Sequence, residues 1–258
     1  MTREEMYASI YTHDTVYRPP QEEGSAMLEV ALGCSWGKCT FCDFAKDAFS
    51  IHPMDKIEFN ARMLGLLDRD AKRVFLLGEN AFVLSTDQLV EVFDLIHAHM
   101  PNVEEIAMYA RIDDVLRKSD EDILLLKSMG LCDLHIGVES GSDSILEMVN
   151  KGITSFDTFR NLHAIETARM LNKTHPKCIW ALALKLWPGT PLYKAEKRGE
   201  FDALDYRGML LEERILLENL TVQDCFYMDT TVLGKYTIQG QLPEGKEAIL
   251  GAVNQLLG

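Results

Sequence analysis

Three cysteines, Cys34, Cys39 and Cys42, crowd into the run Gly33-Cys-Ser-Trp-Gly-Lys-Cys-Thr-Phe-Cys42, with the spacing C-x4-C-x2-C. Thiolates this close can wrap one compact metal centre, and soft sulfur ligands favour iron–sulfur or zinc over hard cations. A structural zinc site wants a fourth protein ligand at nearby spacing, and His52 is the only histidine within twenty residues downstream. Three cysteines instead leave one iron of a cubane open to a substrate or cofactor, whereas a ferredoxin-type carrier uses four. Left unligated, crowded thiols on a glycine-bearing loop would oxidise. The remaining cysteines, Cys132, Cys178 and Cys225, are scattered, too few for a disulfide framework in 258 residues, and read as buried free thiols.

The elements that must carry this loop alternate short apolar runs with longer amphipathic stretches, the pattern of parallel strands joined by helices. The predicted strands are Met27 to Leu32, Arg73 to Leu77, Glu105 to Tyr109, Cys132 to Val138 and Cys178 to Leu186. Predicted helices cover Met54 to Leu67, a stretch capped by Ser85 or Thr86 and ending near His99, one capped by Ser119, and Ser155 to Asn172. The last carries Phe156, Phe159, Leu162, Ile165, Ala168 and Leu171 on one face. In parallel α/β folds reactive groups gather at the carboxyl ends of the strands. Those ends carry the cysteines, Gly78-Glu79-Asn80, Arg111, Glu139-Ser140 and Pro188 to Thr190. The fold expected is α/β, an open, partial TIM-type barrel of five to six parallel strands. It forms one domain over residues 1–258, with a core of about 27–193 and a C-terminal extension of about 194–258. Cys225 to Leu233 is rich in β-formers and predicts a further strand, and Leu210 to Leu220 a helix.

Composition narrows the partners. Forty acidic against 26 basic side chains give a formal charge of −14, which repels a phosphate backbone and disfavours nucleic acid. Met1 to Glu5 lacks the apolar core of a signal peptide, and no apolar run approaches the ~20 residues that span a bilayer. A cytoplasmic protein without a membrane partner is expected.

With its aromatic Phe41 just before the last cysteine, the loop resembles that of the radical S-adenosylmethionine (radical SAM) superfamily, although the commonest spacing there is C-x3-C-x2-C. The resemblance extends to Ile136-Gly-Val-Glu-Ser-Gly-Ser-Asp143 with Met148 to Thr154, and to Pro188-Gly-Thr-Pro-Leu192. These are similar to the branch of elongator-like, methylthiotransferase-like and coproporphyrinogen-dehydrogenase-like enzymes. The resemblance implies a [4Fe-4S] cluster on Cys34, Cys39 and Cys42, with S-adenosylmethionine chelating the fourth iron. The main chain around Phe41 would meet the adenine. The backbone of Gly78, Glu79 and Asn80 would receive the methionyl ammonium, helped by the Glu79 side chain. Glu139 and Ser140 would bond the ribose hydroxyls or the amino-acid end, and Arg111 the carboxylate. It further implies reductive cleavage of the cofactor to a 5′-deoxyadenosyl radical, hydrogen abstraction from an unidentified substrate, and an electron donor such as ferredoxin or flavodoxin.

One part of the family pattern has no counterpart. About one helix–strand unit, ending in a glycine-rich motif that packs on the adenine, is missing around residues 155–172. That loss keeps open an iron–sulfur protein that no longer cleaves S-adenosylmethionine; a zinc-binding module is a third reading. Simpler roles also stand beside the functional ones. Glu139 could cap the helix starting near Ser142, and Arg111 could be a structural ion pair. His97 and His99 read as solvent-side, and His135 as a buried, hydrogen-bonded histidine.

Overall fold

The computed structural model describes residues 2–44, 47–153, 163–229 and 238–258. They divide into two compact units, Met1–Gly37 with Phe44–Gly137, and Lys38–Asp43 with Val138–Gly258.

The first unit opens with α1 (Arg3–Ile10), then β1 (Ala26–Glu29), β2 (Ala31–Leu32), β3 (Ser50–Ile51) and α2 (Met54–Leu67). It continues with β4 (Arg73–Leu77), α3 (Thr86–His99), β5 (Glu105–Ala110), α4 (Ile112–Leu116), α5 (Asp120–Ser128) and β6 (Leu131–Ile136). Four strands form one all-parallel sheet in the order β1-β4-β5-β6. Within this sheet the strands follow one another in chain order without reversal, the order of an open barrel arc and not of a doubly wound sheet, whose order reverses. Side chains alternate across the sheet. Leu28, Val74, Leu76, Ile106 and Met108 pack on one face among Leu64, Phe93, Ile96 and Leu126, all within one core. Phe75, Leu77 and Ala107 pack on the other with Tyr11, Val16, Met27 and Tyr109. Burial on both faces explains why these strands read as near-continuous apolar runs.

Helix starts follow their local chemistry. Ser85 caps α3 through a reciprocal capping box with Gln88, and Ser119 caps α5 with Asp122. Ser85→Ala is expected to lower unfolding stability by about 1 kcal/mol, read from the urea midpoint at unchanged slope; an unchanged midpoint would refute the cap.

The first predicted strand is corrected. It breaks at Val30: residues to Glu29 stay in the parallel sheet, while Ala31–Leu32 turns aside to pair antiparallel with Ser50–Ile51. Val30 sits at the junction, donating to the Leu77 carbonyl and accepting from the His52 amide. An apolar run does not reveal that it serves two partners.

The second unit holds α6 (Asp143–Met148), α7 (His163–Thr174), β7 (Cys178–Ala181), α8 (Pro191–Lys197), α9 (Tyr206–Asn219), β8 (Cys225–Asp229), β9 (Ile238–Leu242) and α10 (Lys246–Leu257). β7 runs parallel to β8, and β8 antiparallel to β9. The α/β class holds, and the parallel sheet of the first unit has four strands. The predicted fifth strand instead joins a separate three-stranded sheet, because the β-former-rich run at Cys225 gives it a partner. Ile179, Tyr227, Ile238 and Leu242 pack there with Ala168, Leu171, Leu217, Ile249 and Val253. The helix expected from Leu210 starts earlier, at Tyr206, because the Asp205 carboxylate accepts from the Gly208 amide at 2.7 Å. Phe156, Phe159 and Leu162, and much of the stretch where the family unit is missing, lie outside the described residues. Among the described residues no helix is long and apolar enough to cross a membrane.

Candidate functional site

In the first unit the end of β4 carries Gly78, Glu79 and Asn80. Gly78 has φ 137°, and a Cβ there would lie 3.1 Å from the Ala31 Cβ, so only glycine lets the turn pass this close to β2. Gly33, just before Cys34, is similarly required: at φ 65° its Cβ would lie 2.5 Å from the Asp47 carbonyl oxygen. Asn80 is buried, and its amide donates to Ser35 Oγ and Asp114 Oδ2 and accepts from the Arg111 backbone N–H. Arg111 pairs with Asp113 at 2.9 Å, and its guanidinium lies 5.2 Å from the Trp36 ring centroid. The ion-pair reading of Arg111 is therefore present in the structure.

Glu79 is half-buried. Burial first, and then the charges of Asp47 and Glu29, raise its carboxyl above the ordinary value, against its own backbone amide and His13. A raised value means the folded state holds the proton more tightly. Its contribution is fully present below the unfolded value of 4.5 and is lost as pH rises through the folded one. Glu79→Gln is thus expected to raise the melting temperature of the cofactor-free protein by a few degrees at pH 7. The gain should vanish as pH falls below the unfolded value. A variant less stable than wild type at pH 7 would refute this.

In the second unit Thr40, between Cys39 and Cys42, donates from its amide to the Val149 carbonyl at 2.9 Å and accepts from the Leu192 amide at 3.0 Å. Asn150 Nδ2 donates to the Lys38 carbonyl at 3.0 Å. Asn150-Lys151-Gly152, within the Met148 to Thr154 stretch, and Pro188-Gly-Thr-Pro-Leu192 thus belong to segments that clasp residues 38–40. Thr190 caps α8 through the Tyr193 amide and fixes the second of them. Glu139 sits in the left-handed region at φ 61°, and its carboxylate accepts from Lys151 Nζ at 2.6 Å. Backbone strain of this kind on a non-glycine residue gathers at functional sites. Ser142, not Glu139, stands at the N-cap of α6, so the capping role considered for Glu139 is corrected. Ser140 is buried and its Oγ accepts from the Ser142 amide.

Sequence reasoning did not single out Lys151, Thr167, Trp36 or Asp114. Lys151 is a buried lysine beside Glu139, and Thr167 Oγ1 accepts from the Gly141 amide at 2.9 Å. Only the Asn-Lys-Gly motif offered a signal for the first of these. Two other readings are corrected. His97 is no solvent-side residue: its Nε2–H donates to the Met129 carbonyl, because α3 packs near the end of α5. Of the scattered cysteines only Cys225 is buried; Cys132 and Cys178 are exposed. His135 is hydrogen-bonded, to Glu22 at 2.8 Å, as expected, but it is half-buried and not buried.

Cys34 belongs to the first unit and Cys39 and Cys42 to the second. All three are partly accessible on an irregular run with Gly33 and Gly37 in the left-handed region, a donor set that suits an iron–sulfur cluster. Among the described residues no three His, Cys, Asp or Glu side chains gather at single-ion spacing. The case for the cluster therefore rests on cysteine spacing and on family.

The family is shown by comparison. The profile of the radical SAM superfamily matches residues 28–175, more than half of the chain, and the chain belongs to that superfamily. Its members are iron–sulfur enzymes that use S-adenosylmethionine. Among curated proteins, the chain is 30% identical over 162 residues to a tRNA-2-methylthio-N(6)-dimethylallyladenosine synthase of Bartonella bacilliformis, covering 59% of this chain and 34% of that protein. It is 28% identical over 130 residues to the haem chaperone HemW of Bacillus subtilis, covering 47% of this chain and 34% of the relative. The matched stretch thus spans about a third of these relatives' length. Among solved structures, TsrM of Kitasatospora setae, a radical S-adenosylmethionine methyltransferase, aligns at 16% identity with a TM-score of 0.42, over 62% of this chain and 29% of that one.

Proposed function

We propose that this chain holds a [4Fe-4S] cluster on Cys34, Cys39 and Cys42, binds S-adenosylmethionine beside it and cleaves that cofactor reductively. The observation that carries the reading is the superfamily match over residues 28–175, which takes in the three cysteines and Phe41, Gly78, Glu79, Asn80, Arg111, Glu139 and Ser140. It also runs across both units, which supports reading them as one domain. Loaded with these cofactors, the protein would convert S-adenosylmethionine to methionine and a 5′-deoxyadenosyl radical that takes a hydrogen atom from a substrate.

The chain's own residues bind, orient and exclude water. Glu79, whose carboxyl is held above the ordinary value by burial and two neighbouring carboxylates, would gain from a nearby cation and suits the methionyl ammonium, with the backbone of Gly78 and Asn80 beside it. Glu139, held by Lys151 in a strained conformation, and Ser140 suit the ribose hydroxyls or the amino-acid end. The main chain at Phe41 suits the adenine, and Arg111, paired with Asp113, stays a weaker partner for the carboxylate. The relatives include both a haem chaperone and a tRNA-modifying enzyme, so they point to no single substrate. The charge of −14 weighs against nucleic acid. A cytoplasmic setting with a ferredoxin or flavodoxin as electron donor completes the proposal.

Anaerobic reconstitution with iron and sulfide tests it. The expected result is a [4Fe-4S] spectrum perturbed by S-adenosylmethionine, and 5′-deoxyadenosine with methionine once a strong reductant is added. A full cluster that yields no 5′-deoxyadenosine would reduce the protein to an iron–sulfur binder, and zinc without iron would leave a structural metal site.

A further inference from the structure

Asn80 and Arg111 follow strand ends where cofactor ligands are expected, yet their side chains engage the cysteine loop. Asn80 is 1% exposed. Its Nδ2 donates to Ser35 Oγ at 2.8 Å and to Asp114 Oδ2 at 2.6 Å, while its Oδ1 accepts from the Arg111 backbone N–H at 3.0 Å. Both amide protons and the carbonyl oxygen of this side chain are thus engaged by protein groups. Asp114, itself 3% exposed, also accepts from Arg117 at 2.6 Å, which holds the carboxylate in place beneath Asn80. The Arg111 guanidinium, anchored by Asp113, lies 5.2 Å from the Trp36 ring centroid, within cation–π reach. Ser35 and Trp36 directly follow Cys34. Ser35 is exposed, so its bond to a buried asparagine does not follow from core packing alone.

We infer that Asn80 is a positioning residue which, with Arg111, clamps the first half of the cysteine loop to the ends of β4 and β5, so that Cys34 is presented in one geometry before a cluster arrives. The inference rests on the proposed cluster at Cys34, Cys39 and Cys42. A loop ordered in advance loses less conformational entropy on binding, so clamping strengthens retention of the cluster without any contact to it. The clamp also explains why an asparagine follows Gly78-Glu79. One amide must donate twice and accept once, which neither aspartate nor a hydroxyl can do.

The test uses the full chain in two states. Amide hydrogen exchange of residues 34–37 is measured in the cofactor-free protein, and the rate of cluster loss to a chelator in the reconstituted one. Asn80→Ala should speed exchange by about tenfold, and Ser35→Ala, an exposed change that spares the core, by a smaller factor. Asn80→Asp should behave like Asn80→Ala, because it sets a carboxylate against Asp114. Combining it with Asp114→Asn should return exchange towards wild type, since the amide introduced at 114 can donate to the carboxylate introduced at 80. Cluster loss should follow the same order. Unchanged exchange at 34–37 in folded Asn80→Ala and Ser35→Ala, or faster exchange with unchanged cluster loss, overturns the clamp. A wild-type chain that takes up no cluster overturns the cluster reading instead. The two failures are distinguishable because the exchange measurement needs no cofactor.

Discussion

Replacing any one of Cys34, Cys39 or Cys42 with alanine is expected to take iron content from about four per chain to near zero and 5′-deoxyadenosine formation below detection. Each thiolate would hold a different iron, so losing one opens the cubane as a unit, and groups that act as a unit do not fail by degrees. The three variants should therefore be indistinguishable from one another and from the triple variant. Glu139→Ala provides the contrast. It would remove a proposed ligand of the cofactor and not of the metal, so the cluster spectrum should persist while affinity for S-adenosylmethionine falls by about tenfold, the scale of one hydrogen bond to a charged group. A single cysteine variant that kept a full cluster and half the activity would sink the assignment of ligands, whatever the fate of Glu139.

The second large effect lies at the opposite ends of the strands. Glu22 is fully buried. It accepts from Arg73 through both oxygens, at 2.7 and 2.8 Å, and from His135 at 2.8 Å and Ser25 at 2.6 Å. Arg73 begins β4 and reaches onward to Glu105 at the start of β5 and to Asp133 in β6, so one guanidinium ties three strands to the segment before β1. Removing one member of a buried pair costs about 3–5 kcal/mol, because the other is left uncompensated. Arg73 keeps Glu105 and Asp133, so Glu22→Gln should fall at the lower end and Arg73→Met at the upper. Burial pushes the Glu22 carboxyl up, but hydrogen bonds from Arg73, His135 and Ser25 and the Arg73 charge outweigh it and hold the group well below the usual carboxylate range. The sign follows: this stability is present in full above the unfolded value of 4.5 and is lost as pH falls through the folded value. Urea midpoints should then differ by a constant amount between wild type and Glu22→Gln above about pH 5 and converge in acid. A difference that grew on acidification would refute the network. Stability would thus reside at the strand starts and chemistry at the strand ends, the division that parallel α/β architecture favours.

Much of this was legible in the chain because it is local. The cysteine spacing needs no fold to be read, since nine residues cannot carry three thiolates far apart. The runs at Arg73 and Glu105 became strands, and Ser85 and Ser119 capped helices, because period and capping act within a few residues. The strand-end positions of Gly78, Glu79, Asn80, Arg111 and Glu139 followed from the same local signals. Tertiary structure alone decided the rest. That β7 pairs with β8, that β1 breaks at Val30, and that Glu22 meets a histidine 113 positions away are matters of long-range closure, to which no window of sequence is sensitive. Asn80 and Arg111 show the difference most directly. Their types and positions were apparent, but whether a polar side chain faces a ligand or braces a loop depends on partners that only the folded chain brings together.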